Sequence, residues 1–163
     1  MALTTTQAQT LKAAIDANPT WAAFPNTSDG AFGLAILLNE EATPAYVVWR
    51  TSLGLSEITQ NGFTWVEVDN LTVGKARIWE WMFDNETRSI NPSKVNIRDG
   101  IIEVWRGTAA KLAVQAVVFS HCKRNASEVE KILATGLGSD ADPAVMSFEG
   151  TVSYADVQAA RNI

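Results

Sequence analysis

The chain has one cysteine and one histidine, adjacent as His121-Cys122, and is short of basic residues, with 13 Lys and Arg against 18 Asp and Glu. A lone cysteine excludes an internal disulfide framework and fits a reducing compartment. With a lone histidine, a zinc cluster within one chain would need Asp or Glu for its other ligands, and no such spacing occurs. Neighbours on a helix point about 100° apart, so His121 and Cys122 cannot serve each other as base and nucleophile. The pair reads as a packed helix end, with His121 in a capping position. A net charge of −5 excludes a general binder of nucleic acid or of anionic membrane, whose affinity comes from clustered Lys and Arg. The best candidate for a DNA-recognition helix, Ser120 to Arg124, is too sparse in them. No apolar run approaches the length that crosses a bilayer, and Met1 to Gln7 lacks the basic and apolar parts of a signal peptide, so synthesis in the cytosol is expected. Repeats and low-complexity tracts are lacking too.

Apolar helix and tryptophan are present in excess. The 163 residues fit one domain with a substantial core. Six tryptophans exceed what packing demands, and aromatic side chains are enriched at interface centres. The centre of the chain, Asn91 to Thr135, strings three helix signatures together. Asn91-Pro92 predicts a helix start, running to Arg106 with Val95, Ile97, Ile101, Ile102, Val104 and Trp105 on one half and Gly107 as the stop. Thr108 starts Ala109 to Phe119, apolar apart from a stripe of Lys111 and Gln115, a pattern that predicts burial within the fold or against another subunit. Ser127-Glu128-Val129-Glu130 is a capping box for a third helix through Leu133, ending at Gly136.

Around this centre the pattern predicts a helix from Thr5 or Thr6 to about Ala17, stopped by Asn18-Pro19, and an apolar, covered helix from about Gly30 to Asn39. Leu71 to Asn85 predicts another, with Ile78, Trp79, Trp81, Met82 and Phe83 inward, packed on the buried helix. Ser153 predicts a last short helix through Arg161, facing inward with Tyr154 and Val157. Ala45 to Arg50 and Phe63 to Val68 have strand composition, and either pair as a hairpin or lie extended across the helices, with Ser56-Glu57-Ile58 a helical turn between them. The expected fold is mainly α: a single helical domain over residues 1–163, about five to seven helices in a bundle, with extended or loop segments at about 44–68 and 136–150 and room for one short β-hairpin.

The motifs that could carry chemistry are incomplete. Gly136-Leu137-Gly138-Ser139 follows a helix rather than a strand and lacks the phosphate-reaching Lys, which leaves a helix stop and a mobile loop. Asp140-Ala141-Asp142 lacks the rest of a calcium loop. Arg98 breaks the local rule by lying in the apolar half of its helix, between Ile102 and Trp105. Its stem can pack while the guanidinium reaches water or stacks on Trp105, or it can pair with an acidic group of a neighbouring subunit. No catalytic residue, cofactor site or metal site is expected.

Several segments resemble small virion proteins of tailed bacteriophages: Thr6 to Ile15 with Asn18-Pro19, Asn91 to Arg98, Glu130 to Ser139, Phe148-Glu149-Gly150 and Asp156 to Arg161. In size, helical content and acidity the chain is most similar to head–tail connector adaptors. That resemblance implies a helical subunit of a homo-oligomeric ring, commonly a dodecamer, located in the virion between the portal protein and the downstream tail or nozzle protein. DNA would pass through the channel without specific binding, and neither membrane nor cofactor would be involved. On that reading Trp49, Trp65, Arg98, Phe148 and Tyr154 are the expected interface residues, since a ring subunit needs two unlike faces. The alternatives are another tail-completion or capsid-associated protein, or a small cytosolic enzyme or regulator, which would need a pocket of converging polar groups.

Overall fold

Side-chain caps set where most of the longer helices begin. The hydroxyls of Thr4, Thr27, Thr72, Thr108, Ser127 and Ser153 each accept a backbone N–H from the first helical turn, which satisfies donors that have no partner inside the helix. The computed structural model describes residues 3–60 and 62–163. In chain order these form α1 (Thr5–Ala17), α2 (Pro19–Ala22), α3 (Ser28–Asn39), β1 (Val47–Trp49), β2 (Leu53–Gly54), α4 (Leu55–Ile58), α5 (Val66–Asp69) and α6 (Val73–Met82). Then follow β3 (Ser89–Ile90), α7 (Val95–Trp105), α8 (Ala109–His121), β4 (Lys123–Asn125), α9 (Glu128–Leu133), β5 (Ala134–Thr135), β6 (Val145–Met146) and α10 (Tyr154–Arg161). The fold is mainly α, with strands of only two or three residues.

The chain divides into two units, one made of residues up to Val48 together with Asn125–Ile163, the other of Trp49–Arg124. In the first, α10 packs on α1 and α3 around Leu11, Ile15, Leu34, Leu38, Val129 and Val157, all fully buried. Polar pins close it. Asn39 donates to the Val152 carbonyl and accepts the Val152 N–H, both at 2.9 Å. Glu130, only 4% exposed, accepts the N–H of Ser127 on one carboxylate oxygen and that of Gly150 on the other, both at 3.0 Å. β5 and β6 pair antiparallel, Ala134 opposite Met146.

The 136–142 loop is tied to its own unit by two bonds and closed on itself by a third. The Tyr46 hydroxyl donates to the Gly136 carbonyl at 2.8 Å, the Val47 N–H to the Gly138 carbonyl at 2.7 Å, and the Asp142 N–H to the Ser139 hydroxyl at 3.0 Å. Gly138 has φ +67, and the Tyr46 ring fills the place of a Cβ there, so only glycine fits.

The second unit is built on Trp105, the largest fully buried side chain. The rings of Trp79 and Phe63 stand edge-on to it at 5.3 and 5.8 Å, and Phe83 stands edge-on to Trp79 at 5.0 Å. α6 therefore packs on α7 rather than on α8 as expected. Its boundaries are also tighter than the Leu71–Asn85 pattern predicted.

Several expectations need correction. Phe63 to Val68 is not a strand: Val66 to Val68 already lie in α5, where the Val68 N–H bonds to the Trp65 carbonyl, because the Phe63 ring is drawn into the aromatic cluster. The antiparallel hairpin lies instead at β5 and β6. Asn91-Pro92 does not start α7: the Asn91 carboxamide oxygen accepts the Ser93 N–H at 3.0 Å, an Asx turn. β3 is still paired with β2, Leu53 opposite Ile90, so the chain must turn before it can coil. Thr4, not Thr5 or Thr6, caps α1.

Trp81 does not face inward with Trp79: it is 69% exposed against 8%, since two residues on a helix differ by about 200° in direction. α3 and α8 are covered only in part, for Phe32, Ile36 and Leu112 are exposed. Tyr154 is likewise exposed, and Val157 and Ala160 form the inner face of α10.

The Trp105 Nε1–H has no hydrogen-bond partner among the described residues; an orphaned buried donor costs about 1–3 kcal/mol. Truncating Trp105→Ala should lower unfolding free energy by about 3–5 kcal/mol, while Trp105→Phe, which keeps a ring and removes the orphan, should lose much less. Urea titrations of both variants check the contrast.

Candidate interaction surfaces

The five expected interface residues fall into three environments. Trp49 is half-buried and serves as a platform: the Arg98 guanidinium carbon lies 4.8 Å and the Lys123 ammonium 5.9 Å from its ring centre, and Phe119 meets its edge at 5.9 Å. Arg98 donates one guanidinium nitrogen to the carbonyls of Pro92 and Ser93, both at 2.8 Å. It thus holds the turn before α7 and stacks on Trp49 rather than on Trp105. Phe148 is 4% exposed and belongs to the core of the first unit. Trp65 is 60% exposed and Tyr154 is exposed; Trp65 touches the Phe63 ring edge-on at 5.3 Å.

Beside Trp49 the Arg50 guanidinium reaches both oxygens of Glu57, each at 3.0 Å. That hydrogen bond, helped by the Gly54 N–H, holds the Glu57 carboxyl below its ordinary range despite some desolvation. Cys122 is fully buried. Loss of hydration pushes its thiol from 9.0 up to about 12, against the pull of the Arg50, Lys123 and Arg98 charges. It is therefore not the nucleophile that its pairing with His121 could suggest. Among the described residues no group of His, Cys, Asp and Glu could hold a metal ion, and no helix is long and apolar enough to cross a membrane.

Sequence reasoning passed over residues 86–90, a segment with open space around it. A cavity of about 550 Å³ beside α6 is lined by Leu55, Trp79, Glu80, Trp81, Phe83, Asp84, Asn85 and Arg88. A second, of about 300 Å³, shares Leu55 and Arg88 and is lined by the hydroxyl residues Ser56, Thr59 and Thr87. A third, of about 420 Å³, continues past Asn85 and Thr87 to Thr51 and Asn91.

The segment between them is clamped by Asn85, which donates to the Ser89 carbonyl at 2.7 Å and accepts the Ser89 N–H at 3.2 Å. Arg88 sits there at φ +47. Nothing in the residue types marks this conformation, because its cause is the clamp.

Comparison with protein-family models, with curated proteins and with solved structures finds no match to this chain.

Three outcomes follow. Arg98→Met should destabilise the chain by about 2 kcal/mol, the worth of its charge-assisted bonds, read as a lower denaturant midpoint. The Cys122 thiol should resist aromatic disulfide reagents in the folded chain and react fully in denaturant. Because its folded pKa is raised, the linked stability is whole below pH 9.0 and is lost as pH climbs toward about 12; thermal midpoints across that window check the sign.

Proposed function

We propose that this chain is a structural protein of a tailed-bacteriophage virion, a subunit of the oligomeric adaptor ring between portal and tail. One observation carries the reading: large apolar side chains are left in water on both units. The first unit exposes Phe32 and Ile36, one turn apart on α3, and Leu137 at 76% on the tip of its tied loop. The second exposes Trp65, Val66, Trp81, Ile102 and Leu112. Apolar side chains of this size, where they stand together in water as Phe32 and Ile36 do on α3, are what association surfaces are made of. A head-to-tail ring requires two of them, unlike one another, on each subunit.

The net charge of −5 supports the same role, since an acidic lining repels a DNA backbone in transit. In this reading the chain is not an enzyme and uses no cofactor. Its partners are copies of itself, the portal protein and the next tail or nozzle component, and it passes from the host cytoplasm into the virion on assembly.

The mass of the purified chain, alone and mixed with portal protein, tests this together with electron images of the mixture. Closed rings in either sample are expected. A single-subunit mass in both, with no ring on the portal, would remove the proposal.

A further inference from the structure

The outer face of α8 carries no charge. Val114 and Val118 form the buried side of the helix, and its two long polar residues are turned back onto their own unit. The Lys111 ammonium donates to the Asn70 carbonyl at 3.0 Å and the Gln115 amide to the Ile102 carbonyl at 3.4 Å. Ala109, Leu112, Ala113, Ala116 and Ser120 are left exposed. Even the Ser120 hydroxyl donates back to the Val117 carbonyl, at 2.7 Å. A helix face that stays in water is ordinarily polar or charged.

The exposed face of α3 has the opposite relief. Asp29, Phe32, Ile36 and Glu40 are all exposed and recur every three or four positions, so they form one ridge along the helix, with the two large apolar side chains in its middle. On α8 the small side chains Ala109, Ala113 and Ala116 recur in the same way and make a low row, flanked on the helical wheel by Leu112 and Val117. The two helices are of nearly equal length, 12 and 13 residues. Their charges are opposite: α3 and its C-terminal cap carry only Asp29 and Glu40, whereas α8 carries only Lys111 and His121.

We propose that α3 of one copy of this chain docks along the outer face of α8 of a second copy, with Phe32 and Ile36 seated on the row of alanines. A second copy is the fitting occupant because both halves of the contact are present on the chain and neither half suits itself. Pairing α8 with α8 would leave Phe32 and Ile36 of both copies in water. Pairing α3 with α3 would bring Asp29 and Glu40 against their own kind and leave α8 bare. The contact is therefore heterologous, and a copy that gives its α3 to one neighbour still offers its α8 to another. The inference rests on the ring reading and deepens it, by naming the two unlike faces that such a ring requires.

Sedimentation equilibrium of the full chain, taken up to millimolar concentration, tests the contact. The native chain should associate. Ala113→Glu, which sets a charge inside the contact, and Phe32→Ser, which removes the larger ridge residue, should each weaken association about tenfold or more. Both positions are exposed, so the thermal midpoints should hardly move; Ala116→Glu and Ile36→Ser repeat the test one turn along each helix. Mixed together, Ala113→Glu and Phe32→Ser should form pairs and nothing larger, because the first keeps a sound α3 and the second a sound α8.

A single-subunit mass for the native chain at every concentration would overturn the inference, and so would either variant associating by itself as tightly as the native chain. Rings formed on the portal by the variants as readily as by the native chain would remove this contact and leave the adaptor reading standing. Native association that needs both faces but never closes into rings would keep the contact and remove the adaptor reading.

Discussion

Removing a whole indole from water requires walls on every side of it, and much of the second unit follows from meeting that demand at Trp105. Trp79 and Phe63 are set edge-on to it, the geometry aromatic quadrupoles favour. To bring Trp79 in, α6 must lie on α7; to bring Phe63 in, its segment must give up the extended conformation that its composition favours. With Trp79 and Phe83 committed to the cluster, the helical repeat turns Trp81 outward, and the chain leaving α6 has to double back to pair β3 with β2. The clamp at Asn85 and the left-handed arginine lie on that return. The cavity beside α6 is thus a by-product of how the core closes, with Trp79 and Phe83 of the core lining it together with Glu80, Trp81, Asp84 and Arg88.

The first unit is held differently. Its aliphatic interior is ordinary, but its loops are fixed by polar groups that meet backbone donors one for one: Glu130 with Ser127 and Gly150, Asn39 with Val152. A carboxylate so deeply buried is tolerable because each of its oxygens accepts an N–H. The result is a surface whose apolar side chains stand on fixed supports. Leu137 is the clearest case, since its loop is bonded to Tyr46 and Val47 while the side chain itself meets water. An anchor already held in place loses little entropy on binding.

The caps were the most legible part of the sequence. Ser127 with Glu130 and Ser153 both start helices where the residues predicted, and Thr108 does the same, because capping is chemistry among residues three apart. What the sequence hid was decided at longer range. The alternation in Phe63 to Val68 spells a strand, yet the destination of one ring overrides it. Asn91-Pro92 spells a helix start, yet the β2–β3 ladder consumes the residues just before it. The wheel that put Trp79 and Trp81 on one side took too wide an arc as buried.

Among the site residues, Trp65 and Tyr154 are exposed, Phe148 is enclosed, and Trp49 and Arg98 engage each other within the chain. Arg88 was invisible because no residue type announces a left-handed backbone. The mainly helical character was plain from periodicity, whereas the division into two units was not, for both halves of the chain read as apolar helix.

That division bears on the order in which the protein acquires its structure. One unit is a single continuous run, Trp49–Arg124, set between the two pieces of the other. During synthesis, which proceeds from the N-terminus, the residues that surround Trp105 emerge from the ribosome before those of α9 and α10. The earlier-made α1 and α3 must wait for α10, the last helix, to cover them. The nascent chain therefore carries the apolar faces of its first helices unprotected for longer than those of its middle, and it is there that a chaperone would be of most use.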